Sequence, residues 1–233
     1  MTVTIFDTVY SFKTSFAEYK FGEYVPVIEA RGKPFMERLS VYTSVPVEVL
    51  DKLPIEYLSS LIELVKFNED ENVLIAISEP AGNVRDVAFY SYGHFETVKQ
   101  KIKGKTSAGC MADITEVYTS MQINEMPLTY VYNKALFYLD SLNKFFERYS
   151  RLNDHKYTDE EIEAGVENLE GFGFFGTVIK IGRERGLTNE EVLSLPAIEI
   201  MDEVLYDFER SEYEKRYNKL LQDRQEHFNK LKS

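Results

Sequence analysis

The chain has no tryptophan and a single cysteine, Cys110, in 233 residues. A lone thiol cannot close an internal disulfide, which suits a reducing compartment. The three histidines, His94, His155 and His227, lie far apart, and none has a second His, Cys or carboxylate at ligand spacing, so no metal site is expected. Long apolar runs are missing too. Stretches such as Val73 to Ile77 fall well short of the roughly 20 residues that cross a bilayer, so the sequence predicts no membrane span. Met-Thr-Val-Thr-Ile-Phe-Asp lacks a basic region followed by an apolar core and a small-residue cleavage site, so no export signal is expected. Basic residues are in the minority, 27 against 39 acidic, for a net charge of −12. That balance repels a phosphate backbone unless the cations gather on one face. The densest basic runs, Lys99 to Lys105 and Lys215 to Lys219, are short and read as solvated helix faces. Nucleic acid is therefore not an expected ligand.

Catalytic signatures are equally scarce. Gly171-Phe172-Gly173-Phe174-Phe175-Gly176 has the Gly-x-Gly-x-x-Gly spacing of a dinucleotide-binding turn, but that turn needs a buried parallel strand before it. Here the preceding residues are acidic and helix-like, so the glycines read as the start of a hydrophobic helix. Cys110 sits in Ser107-Ala108-Gly109-Cys110-Met111, where no motif supplies a base, and it reads as a small buried thiol. No Gly-x-Ser-x-Gly elbow or P-loop appears. The expectation is no catalytic residue, no cofactor and no metal.

What the sequence does carry is periodicity. Val3, Ile5, Val9, Tyr10 and Phe12 around an Asp7-Thr8 break predict an N-terminal hairpin. After Gly22 the spacing becomes helical, with Phe35, Leu39 and Tyr42, then Val49, Leu50 and Leu53, then a helix opened by Pro54 and carrying Tyr57, Leu58, Leu61, Ile62, Leu64 and Val65. Val73 to Ser78 and Val84 to Tyr90, flanking Glu79-Pro80-Ala81-Gly82-Asn83, predict a second hairpin. Three landmarks then recur in order. Tyr92-Gly93-His94-Phe95 answers Phe21-Gly22-Glu23-Tyr24, Val117-Tyr118-Thr119-Ser120 answers Val41-Tyr42-Thr43-Ser44, and Met126-Pro127 answers Leu53-Pro54. Chance recurrence in an aromatic-rich chain is the competing explanation. Two capping boxes, Thr158 to Glu161 and Thr188 to Glu191, open later helices. The expected fold is α+β but mainly α, with small N-terminal hairpins, helical bundles, a possible internal duplication and an all-helical C-terminal part. Its segments are 1–70 and 71–150, two similar hairpin-plus-helices units, and 151–233, ending in a long charged helix.

The aromatic content, 16 Tyr and 16 Phe, exceeds what the other features explain. Aromatic side chains bury large areas and anchor interfaces, so a protein-binding surface is one reading and ordinary core packing the other. The candidate partner-binding residues are Phe172, Phe174 and Phe175 beside their glycines, and Tyr206, Tyr213 and Tyr217 on the last helix.

The run Leu39-Ser40-Val41-Tyr42-Thr43-Ser44-Val45-Pro46-Val47-Glu48-Val49-Leu50, set between an N-terminal hairpin with a Phe-Gly-x-Tyr corner and a Leu-Pro that opens an amphipathic helix, resembles the tail assembly chaperones of long-tailed bacteriophages. Phe175-Gly176-Thr177-Val178, Leu187-Thr188-Asn189-Glu190-Glu191-Val192-Leu193 and Leu195-Pro196 are similar to the same style. The second unit has no counterpart of Pro46, and the chain is longer than the simplest members of that family. The resemblance implies a non-enzymatic protein of the host cytoplasm that covers aggregation-prone helices of a tape measure protein while the tail tube assembles, with self-association open. The alternative is a structural component of the virion, from the neck, the baseplate or the capsid.

Overall fold

The structure, a computed structural model, describes residues 1–153 and 157–232, so His155 lies outside the described residues. It is mainly helical, and among the described residues its one sheet is a two-stranded antiparallel hairpin. Strands β1 (Thr2–Ile5) and β2 (Thr8–Ser11) pair with Thr2 opposite Ser11 and Ile5 opposite Thr8. The helices that follow are α1 (Phe21–Ala30), α2 (Phe35–Thr43), α3 (Val47–Leu50), α4 (Ile55–Val65), α5 (Glu71–Ile77), α6 (Tyr92–Ile102) and α7 (Ser107–Thr119). Then come α8 (Leu128–Arg148), α9 (Asp159–Glu163), α10 (Glu167–Glu170), α11 (Gly173–Arg185), α12 (Asn189–Ser194) and α13 (Ala197–Lys232). The chain forms two compact units. One holds Met1–Val87 with Thr97–Leu142, the other Ala88–Glu96 with Asn143 onward, a division that cuts across the sequence segment 71–150.

The first unit is built on α1 and α8. Phe21, Tyr24, Val27 and Ala30 recur every three residues on α1, and Leu128, Val131, Tyr132 and Ala135 at three- and four-residue spacing on α8. All are buried, and each large one stabilises the fold by about 1.5–3 kcal/mol. Tyr24 meets Phe16, Tyr19 and Tyr132 edge-on, with centroids 5.8, 5.2 and 6.2 Å away. A polar clamp sits beside these rings. Arg31 Nη1 donates to Glu71 Oε2 at 2.7 Å, and Arg31 Nη2 donates to the Tyr24 hydroxyl at 2.8 Å and the Asn68 carbonyl at 3.3 Å. The Tyr132 hydroxyl also donates to Glu71. The clamp therefore ties α1, α5 and α8 together.

The expected second hairpin is not there. Residues 71–77 are helical because Asp70 caps them, its carboxylate accepting the N–H groups of Asn72 at 3.1 Å and Val73 at 3.3 Å. The Ser78 N–H closes the last turn on the Leu74 carbonyl, and Asn133 of α8 donates to the carbonyls of Ile75, Ser78 and Glu79. The β-branched run Val73 to Ile77 imitates a strand, but only Leu74 in that helix is buried. The partner run, 84–90, forms no strand and carries one 3₁₀ turn, Val87–Phe89.

Three stretches share one order of elements: a helix closed by a left-handed residue, a short helical piece, a residue-proline pair, and a longer helix. The first is α2, Ser44 at φ 56°, α3, Leu53-Pro54 and α4. The second is α7, Ser120 at φ 55°, the turn Ile123–Glu125, Met126-Pro127 and α8. The third is α11, Gly186 at φ 69°, α12, Leu195-Pro196 and α13. At two of these proline corners an aromatic-glycine segment pairs across the break as it starts a helix. Phe21 N–H donates to the Met126 carbonyl at 2.9 Å, and Leu128 N–H to the Tyr19 carbonyl at 3.0 Å. In the second unit, Tyr92 N–H donates to the Leu195 carbonyl and Ala197 N–H to the Tyr90 carbonyl, both at 2.8 Å. The recurring landmarks of the sequence thus hold matching positions, with the proline as pivot. The crossing is tight at both glycines, since a Cβ on Gly22 would lie 3.0 Å from the Asn124 side chain and one on Gly93 3.3 Å from the Leu193 carbonyl, so the neighbour would have to give way.

In the second unit Phe95 packs against Phe145 at 5.0 Å, and Tyr149 hydrogen-bonds Asp202 at 2.6 Å while Arg148 donates to both oxygens of that carboxylate. Both expected capping boxes form, Thr158 with Glu161 and Thr188 with Glu191.

Two outcomes follow from this packing. Gly22→Val is expected to lower stability to urea by roughly 1–3 kcal/mol through overpacking against Asn124, whereas Gly32→Val, with no atom within 4 Å of its Cβ, should change it by about 0.5 kcal/mol or less. The second concerns the Thr188 box, where hydrogen bonds from the Thr188 N–H and hydroxyl hold Glu191 below the usual carboxylate range. A depressed carboxylate stabilises the fold above its unfolded pKa and stops doing so as pH falls through its folded value. Thr188→Ala should therefore be less stable than the native chain at neutral pH, with a gap that narrows on acidification below the ordinary glutamate range in pH-resolved thermal melts.

Candidate functional site

The first proline corner is the exception among the three. Among the described residues, neither the Leu53 carbonyl nor the Ile55 N–H has a hydrogen-bond partner, although the equivalent groups at Met126 and Leu128, and at Leu195 and Ala197, are paired. Ile55 is 73% exposed and Tyr57 66%. Beside this corner lies a groove of about 400 Å³ between β1 and α4, walled by Val3, Ile5, Leu53, Pro54, Leu61 and Leu64 with the hydroxyl residues Thr4 and Ser60, and with Phe6 and Tyr57 at the surface. Its walls are mainly apolar, so it suits an apolar side chain and offers no cluster of acids or bases.

The hairpin turn presents Phe6 in a costly way. The two-residue loop Phe6-Asp7 has φ 46° and 62°, both in the left-handed region, where Gly, Asn and Asp are at ease and a bulky ring is not. The strained residue is an aromatic one, 64% exposed.

The aromatic residues singled out in the sequence fall into two groups, both in the second unit. Phe174 is half-buried and packs on Phe175 at 4.2 Å, while Phe172 and Phe175 are exposed at the start of α11. Tyr206, Tyr213 and Tyr217 are exposed on α13, with the rings of the last two stacked at 6.0 Å. From Tyr213 to Asn229 every residue is exposed, so the charged end of α13 carries its tyrosines, Leu220, Leu221 and Phe228 outward. The groove of the first unit was not among the expected sites. Its only signal in the sequence is Phe6 at the position of a two-residue turn, where a β-hairpin favours Asn or Gly.

Several ionisable groups of the first unit engage one another. Burial pushes the Tyr24 hydroxyl up to about 12 and raises Tyr132 further, and both serve the Arg31–Glu71 clamp. Tyr42 donates to Glu69 at 3.1 Å, and Arg38 reaches the same carboxylate at 3.4 Å. Burial also raises the Cys110 thiol, and Cys110 lies in the interior of α7. His94 Nδ1 lies 2.6 Å from the Ser91 hydroxyl at the start of α6, a helix-opening contact. The glycine motif is preceded by helix α10 and leads into α11, with Gly173 at φ 48°, so it is a helix-to-helix break and not a strand-to-helix turn. Among the described residues no group of three or more His, Cys, Asp or Glu could hold a metal ion, and no helix is long and apolar enough to cross a membrane.

No protein-family model, curated protein or solved structure matches this chain.

The strained turn gives a direct test. Replacing Phe6→Asn together with Asp7→Gly should raise stability by about 1–2 kcal/mol in urea denaturation, since both residues then accept positive φ. Unchanged or lower stability would mean that Phe6 contributes more to the fold than its exposure implies.

Proposed function

We propose that this chain holds apolar helical segments of another protein and performs no chemistry, acting as a tail assembly chaperone that covers a tape measure protein in the cytoplasm of the phage host. The observation that carries this reading is the apolar groove at Leu53-Pro54, with Phe6, Ile55 and Tyr57 exposed around it. A groove of that chemistry takes the apolar face of an amphipathic helix, and the buried area supplies the affinity. In the second unit, the exposed rings Phe172 and Phe175, with Phe174 behind them, and Tyr206, Tyr213 and Tyr217 on α13 offer a further aromatic surface. The net charge of −12 keeps a complex of two apolar surfaces dispersed. The resemblance of residues 39–50 and their surroundings to tail assembly chaperones names the partner class.

The experiment is a pull-down from the native host with the full chain and with Phe6→Glu and Tyr57→Glu, both exposed positions. The native chain should retain one long helical phage protein, and each substitution should reduce its recovery by roughly ten-fold or more, as loss of an interface anchor does. Equal recovery by all three chains, or no helical partner at all, would remove the reading. Mass spectrometry of purified particles separates the chaperone from a structural component, since only the latter is present in the virion at fixed copy number.

A further inference from the structure

The open corner has two filled counterparts in the same chain, and what they hold in common specifies its occupant. Resting on the helix-holding reading above, we propose that the Leu53-Pro54 corner receives from its partner a segment with an acidic residue, then an aromatic residue, then a glycine, at the start of a helix.

Backbone pairing fixes the first feature of the occupant. At the corner of Pro127, and again at that of Pro196, the residue before the proline accepts and the residue after it donates, both to an incoming extended segment. The same acceptor and donor, Leu53 C=O and Ile55 N–H, are present and unpaired at Pro54. In both filled corners the residue that gives its N–H to this pairing is aromatic, Phe21 or Tyr92, and its ring is buried. At Pro54 the apolar groove stands ready for such a ring. Next in the incoming segment comes glycine. Gly22 passes against Asn124 and Gly93 against Leu193, each two residues before the corner's acceptor, and neither site has room for a Cβ without displacement. Asp51 holds that place at the open corner.

Charge fixes the remaining residue. Lys20, just before Phe21, pairs with Glu125, which stands two residues before Pro127. Ser91 and Ser194 occupy the same two positions at the corner of Pro196, and both are uncharged. At the open corner the position two residues before the proline is Lys52, exposed and without an ion pair among the described residues. The sign is reversed relative to Glu125, so the complementary incoming residue is Asp or Glu. This chain's own aromatic-glycine segments carry Lys20 and Ser91 there, which disfavours a second copy as the occupant.

The test uses the full chain and synthetic peptides spanning residues 17–31 of this sequence, with binding read by fluorescence anisotropy. A peptide bearing Lys20→Glu should bind at least ten-fold more tightly than the native peptide, and adding Gly22→Val to it should weaken binding by a similar factor. In the Lys52→Glu chain, which alters an exposed residue, the preference should invert in favour of the native peptide. Absence of binding by the Lys20→Glu peptide, equal binding of both peptides, or a preference of the unaltered chain for the native peptide would overturn the proposal, the last by identifying a second copy as the occupant. If the host pull-down yields its helical partner while the peptides fail, this proposal alone falls. Failure of both experiments removes the helix-holding reading as well.

Discussion

Proline cannot donate a hydrogen bond, and its ring disfavours helix at the residue before it. The fold depends on what this does to its two neighbours. The residue before Pro54, Pro127 and Pro196 keeps a carbonyl that no helix uses, and the residue after it keeps an N–H among the orphan donors of a new helix start. At Pro127 and Pro196 these two groups are met by a short extended segment that turns into a helix. Two hydrogen bonds are a modest contribution, about 0.5–1.5 kcal/mol each. Their value is positional, because they set where α1 and α6 begin and which face each helix buries. Phe21 and Tyr24 reach the first core because the pairing at Met126 and Leu128 aims them there.

The polar interior and the apolar surface divide the work of this chain. Arg31, Glu71, Tyr24 and Tyr132 hydrogen-bond one another, so this set of partly buried polar groups in the first unit acts as a brace between helices. Breaking such a set by removing one member costs more than the set contributes as a whole, because it strands the remaining groups. The exposed apolar and aromatic surface lies at the groove by Pro54, at the Phe172 and Phe175 rings, and at the outward tyrosines of α13. Contact area is what such surfaces offer.

Much of the helical fold could be read from the residues alone, and the reason differs by element. The helices α2 and α4 announce themselves by three- and four-residue apolar spacing, α9 and α12 by Thr-x-x-Glu, and the end of α11 by Gly186, since each signal is local. Residues 73–77 were misleading for a local reason too. Val, Ile and Ile favour a pleated surface, and only the Asp70 cap and the grip of Asn133, more than fifty positions away, decide for a helix. The recurrence of aromatic-glycine, Tyr-Thr-Ser and residue-proline was visible, but its meaning was not, because the pairing it serves joins Lys20 to Pro127 and Ser91 to Pro196. The candidate aromatics of the second unit were legible as rings in excess, whereas the groove of the first unit needed the hairpin and α4 to be placed side by side.

The discontinuous make-up of the second unit bears on how the chain is made. Residues 88–96 leave the ribosome long before Leu195 and Ala197, the residues that pair with Tyr90 and Tyr92. At synthesis rates of about 5–20 residues per second, that interval lasts roughly 5–20 s, during which Tyr92 and Phe95 lack their final surroundings. Residues 1–142 can by then have closed around their own core. The newborn polypeptide thus passes through a stage in which one half is finished and a short greasy strip waits for the other half to arrive.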